Sequence, residues 1–379
     1  RPFLASVTRG RPIPPERINP NNDALRRGAE ALGWRWRVAL HNRVECCGCG
    51  YCMLGCAYNR KTHAALAFLP RAVAAGARIL AGAHALAIRG RPGARRVVCA
   101  LVDDDGAPTG RQATIHAPVV VLAAGALETP ALLLRSGLGN RHVGRGLRLH
   151  PAAVVAGLFP ERIEPWRGLP QAVVVEEFAS FYDDGRGGFL LIPGAAAWPA
   201  TSAAVLPGAG AEHRALMRRL PHAAAAAVLL HDETAGRVTA GRDGRPRARY
   251  WPGPRDREEL RRGVRALARL YLAAGAEAVV LPYAGVPPVG TEAELDAALA
   301  RARAAPHRVV LNSVHPQGSC PLGPRPAASA VDPHGELWGE PGLFVADASV
   351  FPTSVGVPPQ VTVMALAAAT ADLIAERRP

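Results

Sequence analysis

Near its end the chain carries a short apolar run, Leu343-Phe-Val-Ala346, that stops at Asp347. It then crosses a Gly- and Pro-rich stretch from Gly356 to Pro359 and resumes as an apolar segment. In that last segment Val361, Met364, Ala365, Ala368 and Ile374 share one apolar side at helical spacing. A buried strand ending on an acid, then a turn and a helix starting near Thr362, builds the crevice in which open α/β folds hold nucleotide cofactors. Upstream, His315-Pro-Gln-Gly-Ser-Cys-Pro-Leu-Gly323 sets an imidazole in a loop that can reach the same crevice. A second unit of this kind runs Val119-Val-Val-Leu-Ala-Ala-Gly125-Ala-Leu-Glu-Thr129-Pro130. Its unbroken apolar strand suits a parallel sheet covered on both faces. Gly125 permits a tight turn and close approach of a cofactor; Thr129 is expected to cap a helix with Pro130 at its first position.

These units, with Gly144-Arg-Gly-Leu147, His150-Pro151, Ala330-Val-Asp332 and Gly356-Val-Pro-Pro-Gln-Val-Thr362, resemble the glucose–methanol–choline (GMC) oxidoreductases, FAD-dependent alcohol oxidases and dehydrogenases. The resemblance implies an α/β (α+β) fold: an incomplete Rossmann-like FAD-binding domain over 1–151, an antiparallel-sheet substrate domain over 152–310, and a return to the FAD-binding domain over 311–379. It implies oxidation of an alcohol (a CH–OH donor) to a carbonyl by hydride transfer to flavin N5, with His315 as base. A free imidazole titrates near 6.5 and can take that proton at neutral pH. FAD contacts are implied at Asn59, Lys61, Ala85, Ala124, Gly125, Asp347, Ala348, Gly356, Pro358, Val361 and Thr362. His150 is usually structural in the family. The departure is Pro358, where the family carries Asn or His; proline offers neither a side-chain hydrogen bond nor an N–H. The second polar contact to substrate is then lost or comes from elsewhere, and Gln360, taken as a catalytic candidate beside His315, and Ser354 are nearest.

One family element has no counterpart: no strand–Gly-x-Gly-x-x-Gly–helix unit, which would seat the pyrophosphate on a helix N-terminus. A separate chain supplying it, or a truncated inactive remnant, are the two expectations. Cys46, Cys49, Cys52 and Cys56 have ferredoxin-like spacing, so an iron–sulfur electron-transfer subunit or a zinc site is the competing reading. Ala57 stands where such runs carry proline, and a structural turn is the preferred reading, with no metal. The formal charge is +14, but Lys61 is the only lysine and the arginines are scattered, which argues against a nucleic-acid module. There is no apolar run long enough to span a bilayer and no signal pattern at Arg1, so the expected location is cytoplasmic and the expected partner a small alcohol. Between 152 and about 305, short strands and Gly/Pro turns predict an antiparallel sheet with helices behind it over 212–219 and 256–274. Trp166, Phe178, Phe181, Tyr182, Phe189 and Trp198 are its aromatic pocket candidates, though core packing is the commoner role of each.

Overall fold

A computed structural model describes residues 10–194 and 198–377. The Pro- and Arg-rich start up to residue 9 lies outside the described residues.

The largest element is a six-stranded antiparallel sheet in the order Ala278–Val280, Ala152–Leu158, Ala223–Leu230, Phe189–Pro193, Val173–Val175, Trp36–Val38. Every residue of Ala152–Leu158, Phe189–Pro193 and Ala223–Leu230 is buried, because both faces are covered. Five consecutive alanines in Ala223–Leu230 would favour a helix in isolation. Seven cross-strand partners in Ala152–Leu158, most of them Val, Ala or Leu, hold the segment extended instead. One face packs on helices Pro20–Ala31 and Pro254–Ala273 through Leu25, Leu267, Leu270 and Tyr271. The two helices touch at Gly28, where a Cβ would lie 2.2 Å from the Leu270 carbonyl oxygen, so no larger residue fits. The other face carries Val154, Leu190, Leu229 and Phe181.

Helix Pro20–Ala31 is tied to the sheet by buried asparagines. The Asn21 side chain bonds both N–H and carbonyl of Ala225, and the Asn22 oxygen accepts from Ala172 and Val173. By sequence Asp23 is a plausible cap of this helix, but the cap is Asn19, with Pro20 in the first turn. In sequence Ala77-Arg-Ile-Leu80 reads as a short strand and Ala64 to Ala75 as one helix; no strand forms at 77–80, and the helix breaks at Phe68 into Ala64–Ala67 and Leu69–Ala74.

The second unit is smaller. Strand β1 (Val120–Leu122) leads into helix α1 (Gly125–Ser136); strand β2 (Leu343–Val345) lies parallel to β1, pairing Leu343 with Val120 and Val345 with Leu122. A three-stranded antiparallel ribbon, Ala83–Arg89, Arg95–Val102 and Pro108–Ala117, packs beside α1, held by Arg135, whose guanidinium donates to the carbonyls of Ala85 and Leu86. The chain ends in helix α2 (Gln360–Glu376). None of the described helices is long and apolar enough to cross a membrane.

Candidate active site

The two strand ends are clamped together by one carboxylate. Asp347 follows β2 and is 7% exposed. Its Oδ2 accepts from the Gly125 N–H (2.8 Å) and the Thr129 hydroxyl (2.6 Å); its Oδ1 accepts from the Ser349 N–H and hydroxyl. Thr129 therefore does not cap α1, as expected from the sequence. The helix begins at Gly125, and Pro130 lies inside it. Gly125 takes a φ of +83°, the left-handed turn that lets the chain leave β1 and enter α1 at once.

A proline inside a helix leaves the carbonyl four residues back without a donor. Here that carbonyl belongs to Ala126, and the hydroxyl of Ser319, from the His315 segment, donates to it at 2.6 Å. The same segment bonds the turn after β2: Gly318 N–H to Ala348 and Cys320 N–H to Ser349. The Gln317 side-chain oxygen accepts from the Val355 N–H. So the segment that carries His315 is fastened to both strand ends, five residues or fewer from the imidazole.

His315 is half-buried, and its Nδ1 lies 3.0 Å from Nδ1 of His150. Among the described residues its Nε2 has no hydrogen-bond partner. Burial pushes the His315 pKa down to about 4. His150 is fully buried, and burial, then the neighbouring His315, pushes it to about 3, against the backbone of Gly356, which favours its protonated ring. Both imidazoles are thus neutral at pH 7. Asp232 lies beneath, accepting the N–H groups of Leu149 and His150 and the Tyr250 hydroxyl. Burial raises the Asp232 pKa, partly offset by those donors. A third histidine, His231, stacks on Phe181 at 5.2 Å and bonds the Ser354 carbonyl through Nε2. Phe181 in turn covers Gly356, where a Cβ would strike its ring at 2.5 Å.

The expected residues divide. Ala124, Gly125, Asp347, Ala348 and Gly356 line the turns around the clamp; Pro358, Gln360 and Val361 are exposed at the start of α2, with Thr362 half-buried beside them. Ser354 is buried. Asn59 and Lys61 lie on the exposed loop after the cysteines, and Ala85 sits on the ribbon, its carbonyl bound by Arg135. Cys46, Cys49, Cys52 and Cys56 are free thiols, and no group of three or more His, Cys, Asp or Glu among the described residues is placed to hold a metal ion. Phe189 is core, Tyr182 is largely exposed, and Phe181 alone of the aromatic candidates packs against Gly356. His150 and His231 were missed as site residues; the His-Pro and His-Asp pairs that mark them say nothing about a partner far away in the chain.

Three histidines, His41, His150 and His315, have pKa values pushed from 6.5 to about 4, 3 and 4, in each case chiefly by burial. The unfolded chain binds more protons than the folded one between those values, so their stabilisation is complete above about pH 6.5 and is lost as pH falls toward 4. Asp232, with its raised pKa, works in the opposite direction, but it is one group against three. The melting temperature is expected to hold level above pH 7 and to fall steeply between pH 6.5 and 4. A flat thermal-unfolding series over that interval would show that these rings are not held neutral.

Comparison with known proteins places this geometry. A GMC oxidoreductase family model matches residues 13–152, and its C-terminal counterpart matches residues 232–367. An uncharacterized GMC-type oxidoreductase of Mycobacterium tuberculosis is 38% identical over 362 residues, 95% of this chain and 55% of that protein. A long-chain-alcohol oxidase of Arabidopsis thaliana is 30% identical over 366 residues, 91% of this chain and 48% of that one. The chain thus spans about half the length of these curated relatives. Among solved structures, a pyridoxine 4-oxidase (Mesorbium loti) superposes with a TM-score of 0.69 at 22% identity, covering 97% of this chain and 72% of that one, which bears on the fold alone.

Proposed function

Because the chain belongs to the GMC oxidoreductase family, we propose that it carries the substrate sheet and the proton-accepting histidine of an FAD-dependent enzyme that oxidises an alcohol to a carbonyl. The observation that carries this reading is His315: an imidazole held neutral, bonded at Nδ1, with Nε2 unengaged, on a segment fastened to both strand ends.

The residues present fit a flavin in part. Helix α2 starts at Gln360, after Pro359 at the cap position, with no side chain capping it and no acid in its first turn, so open N–H groups and the positive end of the helix are available to an anionic ring edge. Ala123 and Ala124 are exposed beside Gly125, and a Cβ on Gly125 would meet nothing within 4 Å. The pyrophosphate is a different matter, since its glycine loop is not among the described residues. Two open faces fit a unit that would bring it. The parallel β1–β2 pair is only two strands wide, with Val121 46% exposed, and such pairs are marginal alone. Apolar α2 buries only Met364 and Thr370, and most of the exposed large apolar side chains of the described residues fall between 40 and 80. A βαβ unit from another stretch of the polypeptide, or from a separate chain, would cover these faces.

Bound FAD would supply the hydride acceptor. The chain's part is to take the hydroxyl proton on His315 Nε2, to hold the turns in register through Asp347, and to shield the site with the sheet and Phe181. Pro358 gives the substrate oxygen no second hydrogen bond. The test is anaerobic: protein expressed with a flavin pyrophosphate-binding unit, mixed with primary alcohols from ethanol to long-chain members, since relatives bear the name long-chain-alcohol oxidase. Bleaching of the visible flavin absorbance is expected with at least one of them. A bound flavin that no alcohol reduces would end the proposal.

A further inference from the structure

We propose that His150 is a positioning residue: it accepts the Nδ1–H of His315 and so fixes the tautomer that leaves His315 Nε2 bare toward substrate. This rests on the reading of His315 as the proton acceptor and names the residue that makes it one.

Two neutral imidazoles joined Nδ1 to Nδ1 have two possible arrangements. If His150 donates, His315 must carry its proton on Nε2 and has no lone pair for an alcohol. If His315 donates, its Nε2 is free and His150 carries its proton on Nε2. The reading of His315 as proton acceptor selects the second, because only a lone pair on Nε2 can take the alcohol proton, and with Nδ1 3.0 Å from Nδ1 the acceptor of the His315 proton is then His150. His150 Nε2 is buried without a hydrogen-bond partner among the side chains and backbone around it. The Gly356 backbone faces the His150 ring and favours a proton on it. When His315 takes a proton on Nε2, its Nδ1–H still points at a neutral acceptor, and no second proton has to move.

Backbone geometry adds an independent sign. His150 has a φ of +52°, a left-handed conformation that few residues other than glycine adopt and that histidine, with Asn and Asp, tolerates best of them. It is held by Asp232, which accepts the N–H groups of Leu149 and His150 together, and by Ser313, whose hydroxyl donates to the Leu149 carbonyl. Strain maintained beside a reactive group is a usual mark of a constrained site. The link also runs to the loop in which Pro358 replaces the polar residue of other family members. Gly356, two residues before it, reaches His315 through His150.

The tautomer can be read without turnover. In the FAD-loaded protein carrying 15N-histidine, the long-range proton–nitrogen pattern of His315 is expected to be that of an Nδ1–H ring, and in His150→Phe it is expected to shift toward the Nε2–H form. Asn suits a left-handed backbone and offers both an acceptor and a donor. His150→Asn is therefore expected to keep kcat within a few-fold of the parent, while His150→Phe loses about tenfold or more in kcat with KM little changed. An Nε2–H pattern for His315 in the parent protein overturns the proposal, even if His315→Asn abolishes flavin reduction. A parent pattern that survives His150→Phe overturns it also. Full activity in His315→Asn would instead remove the reading on which it rests.

Discussion

His315→Asn is expected to slow flavin reduction by alcohol by about 10²–10⁴-fold, the usual worth of a positioned general base. Asparagine can still reach His150 with its amide, so the packing around His150 survives; what disappears is the second nitrogen, whose lone pair takes the proton. The loss should fall on the reduction rate at saturating alcohol, with binding little altered, because the proton moves only in the reaction itself. In the parent, the acid side of the rate profile should lie below the ordinary histidine value of 6.5, in the direction of about 4, since burial holds His315 neutral down to that range. The base form is the active one, so activity is present above the His315 pKa and lost below it. In His315→Asn that limb should vanish. Rapid-mixing measurement of flavin bleaching across pH checks both parts. A variant within threefold of the parent, or one that keeps the acid limb, would show that another group takes the proton.

The sequence showed the motifs but not their pairings, for reasons that differ residue by residue. Gly125 and Gly356 were legible because left-handed turns demand glycine, and both have positive φ. The four inner strands of the large sheet were legible because burial on both faces leaves continuous apolar runs, whereas the edge strand Trp36–Val38 is interrupted by Arg37 and carries no such run. Residues 77–80, Ala-Arg-Ile-Leu, misled because two adjacent large apolar residues read as part of a strand, but Ile79 and Leu80 are exposed and no strand forms. The contact between His150 and His315 joins residues 165 apart in the chain, and no periodicity encodes such a distance. Pro130 was read as the start of a helix, where its missing N–H would cost nothing. Its actual place inside α1 is tolerated because Ser319, 193 residues from Ala126, supplies the hydrogen bond that proline removes. That bond also gives a structural reason for a hydroxyl residue four positions after His315.

Asp347→Ala is expected to destabilise the fold by about 3 kcal/mol or more, because it strands buried donors that have no water to turn to. The carboxylate serves four at once: the Gly125 and Ser349 N–H groups and the Thr129 and Ser349 hydroxyls. Its sequence position, at the end of β2, suggested a contact to the flavin. In the folded chain both oxygens are engaged by protein, as a clamp between β1 and β2 requires. Asp347→Asn discriminates the two roles. An amide keeps one acceptor for Ser349 but turns a donor toward the Gly125 N–H, so a clamp predicts a loss of about 1–3 kcal/mol in the flavin-free chain. A ligand role predicts unchanged stability of the flavin-free chain and weaker FAD binding. Urea unfolding of the flavin-free chain, followed by FAD titration, separates them. Asp347→Ala within about 0.5 kcal/mol of the parent would leave the two strand ends without a reason to meet at Gly125.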